Sequence, residues 1–142
     1  MTHSLVIAAV LVPMLALVLP ASSRLPQEVE SERNPGKRSE IAIDAADRSL
    51  NQARAYYKAS QQGKGEEELD LISRLADECL RSAQEAHKSK YWKKAELRIA
   101  ALNRRVRSFS DELSYDQRDK PNQLAEHLDS IHDKLLAGVM RK

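Results

Sequence analysis

The stretch KYWKKAELRIAALNRRVRSFSDEL, residues 90–113, decides the fold. Tyr91, Ala95, Ile99, Leu102, Val106, Phe109 and Leu113 recur at three- and four-residue intervals. At about 100° per residue they fall on one side of an α-helix. Lys90, Lys93, Arg104 and Arg107 gather on the opposite side, while Lys94, Arg98 and Arg105 flank the apolar stripe. Neither Gly nor Pro interrupts the run, and nothing in it alternates with the period of two that a strand requires. A helix with one apolar face needs other helices to cover it, and the same pattern occurs three more times in the chain.

Downstream, Tyr115 to Lys120 forms a polar break. Pro121 then occupies a permitted first-turn position, and Leu124, Leu128, Ile131, Leu135 and Val139 form the next stripe. Upstream, a helix opening near Glu66 carries Leu69, Ile72, Leu75, Ala76, Cys79, Ala83 and Ala86, with Leu80 beside them. Its Glu66-Glu67-Glu68 start places negative charge at the positive end of the helix dipole. Before it, Ser39 to Gln61 carries Ile43, Ala46, Leu50, Ala53 and Tyr57, with Ser39 as the expected N-cap and Gly63-Lys64-Gly65 as the expected close.

The boundary between the second and third helices is the weakest, because Ala86-His87-Lys88-Ser89-Lys90 contains neither Gly nor Pro. A single helix from Glu66 to Leu113 would run for roughly 70 Å at about 1.5 Å per residue and favour an elongated helical hairpin or coiled coil. A turn at Ser89 instead lets all four stripes meet. The reading adopted is all-α, an antiparallel helical bundle of three to four helices, with the elongated coiled coil as its alternative.

Residues 1–23 read separately. They hold 16 apolar residues and no Asp, Glu, Lys or Arg, and the Leu5–Leu19 core is shorter than the roughly 20 residues of a spanning helix. With Ala21-Ser22-Ser23 ahead of Arg24, the segment reads as a signal peptide cut near Ser23, an uncleaved membrane anchor being the alternative, and the localisation follows as secreted or periplasmic. Residues 24–38, with Pro26, Pro35 and an Asn34-Pro35-Gly36 turn signal, read as a flexible leader to a bundle domain at 39–142.

Composition narrows function. The chain has 142 residues, net charge +2 and one Cys, which excludes a two-domain enzyme and a disulfide scaffold and argues against a dedicated polyanion binder. Beyond the first 23 residues, Leu, Ile, Val and Phe make up only about 18%, so stability should be marginal and rest on Ala-rich packing. Cys79 lies on an apolar stripe and should be a buried small hydrophobe. His127, Asp129, His132 and Asp133, with His87, are weak metal-ligand candidates: His127 and His132 are five apart, awkward for joint chelation, and the chain has no Glu-x-x-His. No Gly-x-Ser-x-Gly elbow or phosphate loop is present, and no cofactor is expected.

Two echoes remain. Ala55-Tyr56-Tyr57-Lys58-Ala59 and Lys90-Tyr91-Trp92-Lys93-Lys94-Ala95 are spaced like elements of tetratricopeptide pairs, yet the signature Gly, later Phe and Pro of those repeats are missing. From Asn34 to Met140 the chain resembles small exported bacterial helical proteins of unassigned function, on its composition, its Arg-rich third helix and its Leu135-Leu136-Ala137-Gly138 close. The resemblance implies no site residues. The expected function is therefore non-enzymatic: a protein partner or self-association, met through Tyr56, Trp92, Tyr115, Lys90, Lys93, Arg104 and Arg107. No nucleic acid is expected; the alternatives are a metal- or small-ligand-binding helical bundle and a binder of anionic polymers or membrane surfaces through the basic third helix.

Overall fold

A computed structural model describes residues 24–141. The signal peptide read from residues 1–23 lies outside the described residues. Among the described residues there are five α-helices, α1 (Gln27–Glu30), α2 (Pro35–Lys58), α3 (Gln62–Ala86), α4 (Ser89–Glu112) and α5 (Asp119–Met140), with a 3-10 turn at Tyr115–Gln117 before α5. Among the described residues there is no strand. None of these helices is long and apolar enough to cross a membrane.

The stripes named above supply the core. Ile43, Leu50, Leu69, Ile72, Leu75, Ile99, Leu102, Val106, Leu128, Ile131 and Leu135 are fully buried in one cluster shared by the four long helices. Ala42, Ala46, Ala53, Ala76 and Ala83 lie between them with no exposure, so backbones approach closely where larger side chains would hold them apart.

Neighbours in sequence pair as antiparallel hairpins, α2 with α3 and α4 with α5, and these are the most extensive contacts. The hairpins then lie side by side, α2 along α4 and α3 along α5. This second pairing is parallel: Lys94–Glu40 and Arg98–Asp44 share one constant offset, and Lys120–Asp70 and His127–Asp77 share another. The expected antiparallel order thus holds within each hairpin and gives way to parallel packing between them.

The long helix from Glu66 to Leu113 does not form. His87 ends α3 in the left-handed region (φ 52°, ψ 24°), Lys88 is extended, and Ser89 starts α4. A left-handed residue just past a helix is most often Gly. His belongs to the few other types that tolerate it, which explains a turn without a glycine signal. Ser60 (φ 58°) plays the same part between α2 and α3.

The glycines serve elsewhere. Gly63 and Gly65 lie in the first turns of α3, which begins at Gln62, so the expected close of the first helix is instead the opening of the second. Gly65 seats the Tyr57 ring, Gly36 seats Tyr91 and Gly138 seats Trp92; a Cβ at Gly65 would stand 2.5 Å from Tyr57 Cδ2, and one at Gly138 would be 2.7 Å from Trp92 Cδ2. Gly36, Gly65 and Gly138 each let an aromatic ring rest on a helix backbone.

The leader is also corrected. Gln27–Glu30 forms α1, with Val29 wholly buried against the core. Asn34 caps α2 by accepting a hydrogen bond from Lys37 N at 3.2 Å, and Pro35 takes the first helical position, where its missing N–H costs nothing. Ser39 is therefore not the cap; it lies buried in α2, its hydroxyl donating to the Cys79 carbonyl at 3.0 Å. Apolar Val29 outweighed the polar residues around it.

Candidate functional site

The surface of α4 divides by angle around the helix. The edge facing α2 is a charge ladder. Lys94 bonds Glu40 at 2.9 Å, Arg98 reaches Asp44 at 2.7 Å and Asp47 at 2.9 Å, and Arg105 bonds Asp47 and Asn51, each at 2.8 Å. Burial alone would pull the Arg98 guanidinium down, but the hydrogen bonds it donates to Asp44 and Asp47 outweigh that and hold its pKa above the ordinary value. These acids on α2 were not foreseen as partners from the sequence. Their spacing, Glu40, Asp44, Asp47, repeats every three to four residues and was the available signal.

The edge facing α5 mixes polar and aromatic contacts. Glu96 meets His132 Nε2 at 2.6 Å, Asn103 Nδ2 donates to Asp129, Arg107 pairs with Asp129, and Trp92 lies on Gly138. Arg107, expected as a surface contact, is thus engaged inside the molecule, though its side chain stays about half exposed. Ser110 Oγ and Asn122 Oδ1 close the far end at 2.7 Å.

The outer face carries Lys90, Lys93, Leu97 and Arg104, all exposed. Among the described residues none of these three cations has a carboxylate within ion-pair distance, while the flanking cations do. Lys90 Nζ sits 4.9 Å from the Tyr91 ring centre. Leu97, between Lys93 and Arg104 on the helix surface, is 59% exposed.

The proposed metal candidates are not brought together. His127 turns to α3, where Asp77 meets its Nε2 at 2.8 Å, and His132 turns to α4 and Glu96. Asp129 serves Asn103 and Arg107, and Asp133 is exposed. Among the described residues, no three His, Cys, Asp or Glu side chains form a group that could hold a metal. His87 faces a different feature, an open groove of about 300 Å³ lined with Ser89, Trp92, Gly138 and Arg141. Trp92, expected off the core, is half-buried and packs partly against it. Tyr56 is half-buried beside Lys64, whose Nζ lies 5.9 Å from its ring centre, and Tyr115 in the 3-10 turn is 89% exposed.

No protein-family model, curated protein or solved structure matches the chain. Its site is therefore described by its own chemistry.

One polar cluster lies inside the first hairpin. Arg38 Nε donates to Ser82 Oγ at 2.8 Å and sits 3.2 Å from Glu78, which also accepts from Ser82 at 3.1 Å and pairs with Arg81; Arg38 reaches Glu85 as well. Beside it Cys79 is wholly buried and unbridged, as its place on the stripe predicts. Burial pushes its thiol up to about 11, against a smaller opposing effect of the Ser39 hydroxyl 3.3 Å away. The adjoining cavity, about 10 Å³, scarcely admits one water. This network ties α2 to α3 and has no room for a substrate.

Proposed function

We propose that the chain is an exported, non-enzymatic helical-bundle protein of the cell envelope or extracellular space that acts by surface contact with a partner. The observation that carries this reading is the contrast between interior and surface. Inside, stripes close on one another and the polar cluster around Arg38 and Glu78 pairs with itself. Outside, Tyr115, Leu97 and Met140 stand 89%, 59% and 75% exposed, apolar area that a partner covering it would remove from water. Export rests on the Leu5–Leu19 run and the small residues at Ala21-Ser22-Ser23.

The test is site-specific photocrosslinking in the producing cell, with the probe placed at Tyr115 in one variant and at Leu97 in another, together with sequencing of the mature N-terminus. Discrete adducts and an N-terminus near Arg24 are the expected result. Crosslinking no stronger than from a probe at the polar surface residue Gln52 would refute an interaction role, and an N-terminus at Met1 would refute cleavage.

A further inference from the structure

One edge of the molecule joins three features that the fold has no internal use for. Lys90, Lys93 and Arg104 project from the outer face of α4 without an acidic partner among the described residues, because the acids of α2 are taken by Lys94, Arg98 and Arg105. Leu97 stands among them. The C-terminal turns of α5 run antiparallel beside this half of α4, held by the His132–Glu96 contact at 2.6 Å and by Trp92 on Gly138. Leu136 and Met140 lie one and two turns beyond His132, 41% and 75% exposed, toward the end of the helix pair where α4 carries Lys90 and Lys93. At its end opens the groove of about 300 Å³ beside Trp92, with His87 and Arg141 on its walls.

We propose that this edge docks on an anionic lipid surface; the proposal deepens the interaction reading and rests on it. Charge complementarity selects the partner. A second copy presenting the same edge would set Lys90, Lys93 and Arg104 against their own kind. A nucleic acid or other hydrated polyanion would answer the cations but offer nothing to Leu97, Leu136 and Met140. A bilayer carrying anionic headgroups answers both, since adsorbed proteins hold themselves there by a few apolar side chains inserted below a layer of basic ones. A half-buried tryptophan such as Trp92 suits the headgroup region.

The chain has one Trp, so Trp92 reports on its own environment without a label. Full-length protein is titrated with phosphatidylcholine vesicles, with and without phosphatidylglycerol, and followed by co-sedimentation and Trp emission. Binding confined to the phosphatidylglycerol vesicles, a blue shift, and loss of affinity with added salt are expected. Lys90→Gln, Lys93→Gln and Arg104→Gln together should weaken binding about 100-fold, at about five-fold per cation. Leu97→Ser with Met140→Ser should reduce the blue shift; all five positions are exposed, and circular dichroism checks that the helices persist. Equal binding to neutral vesicles, unchanged in the triple variant, would overturn the proposal and assign adsorption to the apolar run near the N-terminus. Equal affinity for duplex DNA, insensitive to the Leu97 and Met140 changes, would overturn it in favour of polyanion binding. Failure to bind vesicles while Tyr115 still crosslinks to a protein would end this proposal alone; failure of both would end the interaction reading too.

Discussion

Replacing Gly65 with Ala and, separately, Gly63 with Ala makes the same chemical change two positions apart on α3, and the two should move stability in opposite directions. Neither glycine has positive φ, so the backbone accepts Ala at both. Around Gly63 nothing lies within 4 Å of a new Cβ. That variant should gain about 0.4–1 kcal/mol by narrowing the unfolded ensemble. At Gly65 the methyl would stand 2.5 and 2.6 Å from Tyr57 Cδ2 and Cε2 and 3.3 Å from the Ala53 carbonyl. The ring cannot simply retreat, because Phe109 packs edge-on behind it at 5.2 Å and 83°. Overpacking costs about 1–3 kcal/mol, and loosening the aromatic pair about 0.5–1.5 more, against the same gain in propensity. Gly65→Ala should therefore lose about 0.5–4 kcal/mol and, the propensity gain being common to both variants, fall about 1.5–4.5 kcal/mol below Gly63→Ala. At roughly 3–5 °C per kcal/mol for a domain of this size, the two melting temperatures should differ by about 5–20 °C. Urea and thermal unfolding followed at 222 nm measure it. Equal stability of the two variants would show that Tyr57 does not rest on the start of α3, and the account of glycines as ring seats would fall with it.

His87→Gly should stabilise the protein by about 1 kcal/mol, because Gly takes the left-handed turn without the strain of a Cβ; a loss in urea unfolding would refute the turn geometry. Arg98→Ala should cost about 1 kcal/mol at low salt and less at high salt, whereas Arg104→Ala should be neutral; denaturation at two ionic strengths separates them. Cys79 binds its proton more tightly when folded, so its contribution is complete below about pH 9.0 and is lost as pH rises through about 11; Cys79→Ala should flatten that part of the stability profile. In the folded protein the same thiol should resist alkylation at neutral pH until denaturant is added, which a timed thiol assay would show.

The core was legible because burial obeys helical period. Ile43, Leu50, Leu69, Leu102 and Leu128 each fall where spacing places them, and that spacing survives any error at the helix ends. The ends were harder for a single reason. Gly was read as a stop, but the chain turns at Ser60 and His87 and uses Gly36, Gly65 and Gly138 as seats for rings arriving from other positions in sequence. Which aromatic meets which glycine is a fact of tertiary packing, invisible to any local window. The leader was misread for a similar reason: one buried Val29 among charged neighbours leaves no periodicity to detect. On the surface, the angular separation of Lys90, Lys93, Arg104 and Arg107 from the core stripe was readable in advance, but the neutralising role of Glu40, Asp44 and Asp47 depends on two helices far apart in sequence lying parallel.

The left-handed residue at His87 also divides the chain electrically. Residues 24–87 carry 10 Lys and Arg against 13 Asp and Glu, and residues 88–142 carry 13 against 8, so a nearly neutral protein consists of two oppositely charged halves. Each half is a complete local hairpin whose helices meet through short loops, a topology that forms quickly. Separated at the peptide between them, the halves would find each other by long-range attraction, and the Lys94–Glu40 and Arg98–Asp44 contacts would set their alignment. In charge and in contacts the chain is laid out like a tethered heterodimer, two hairpins joined by a single turn.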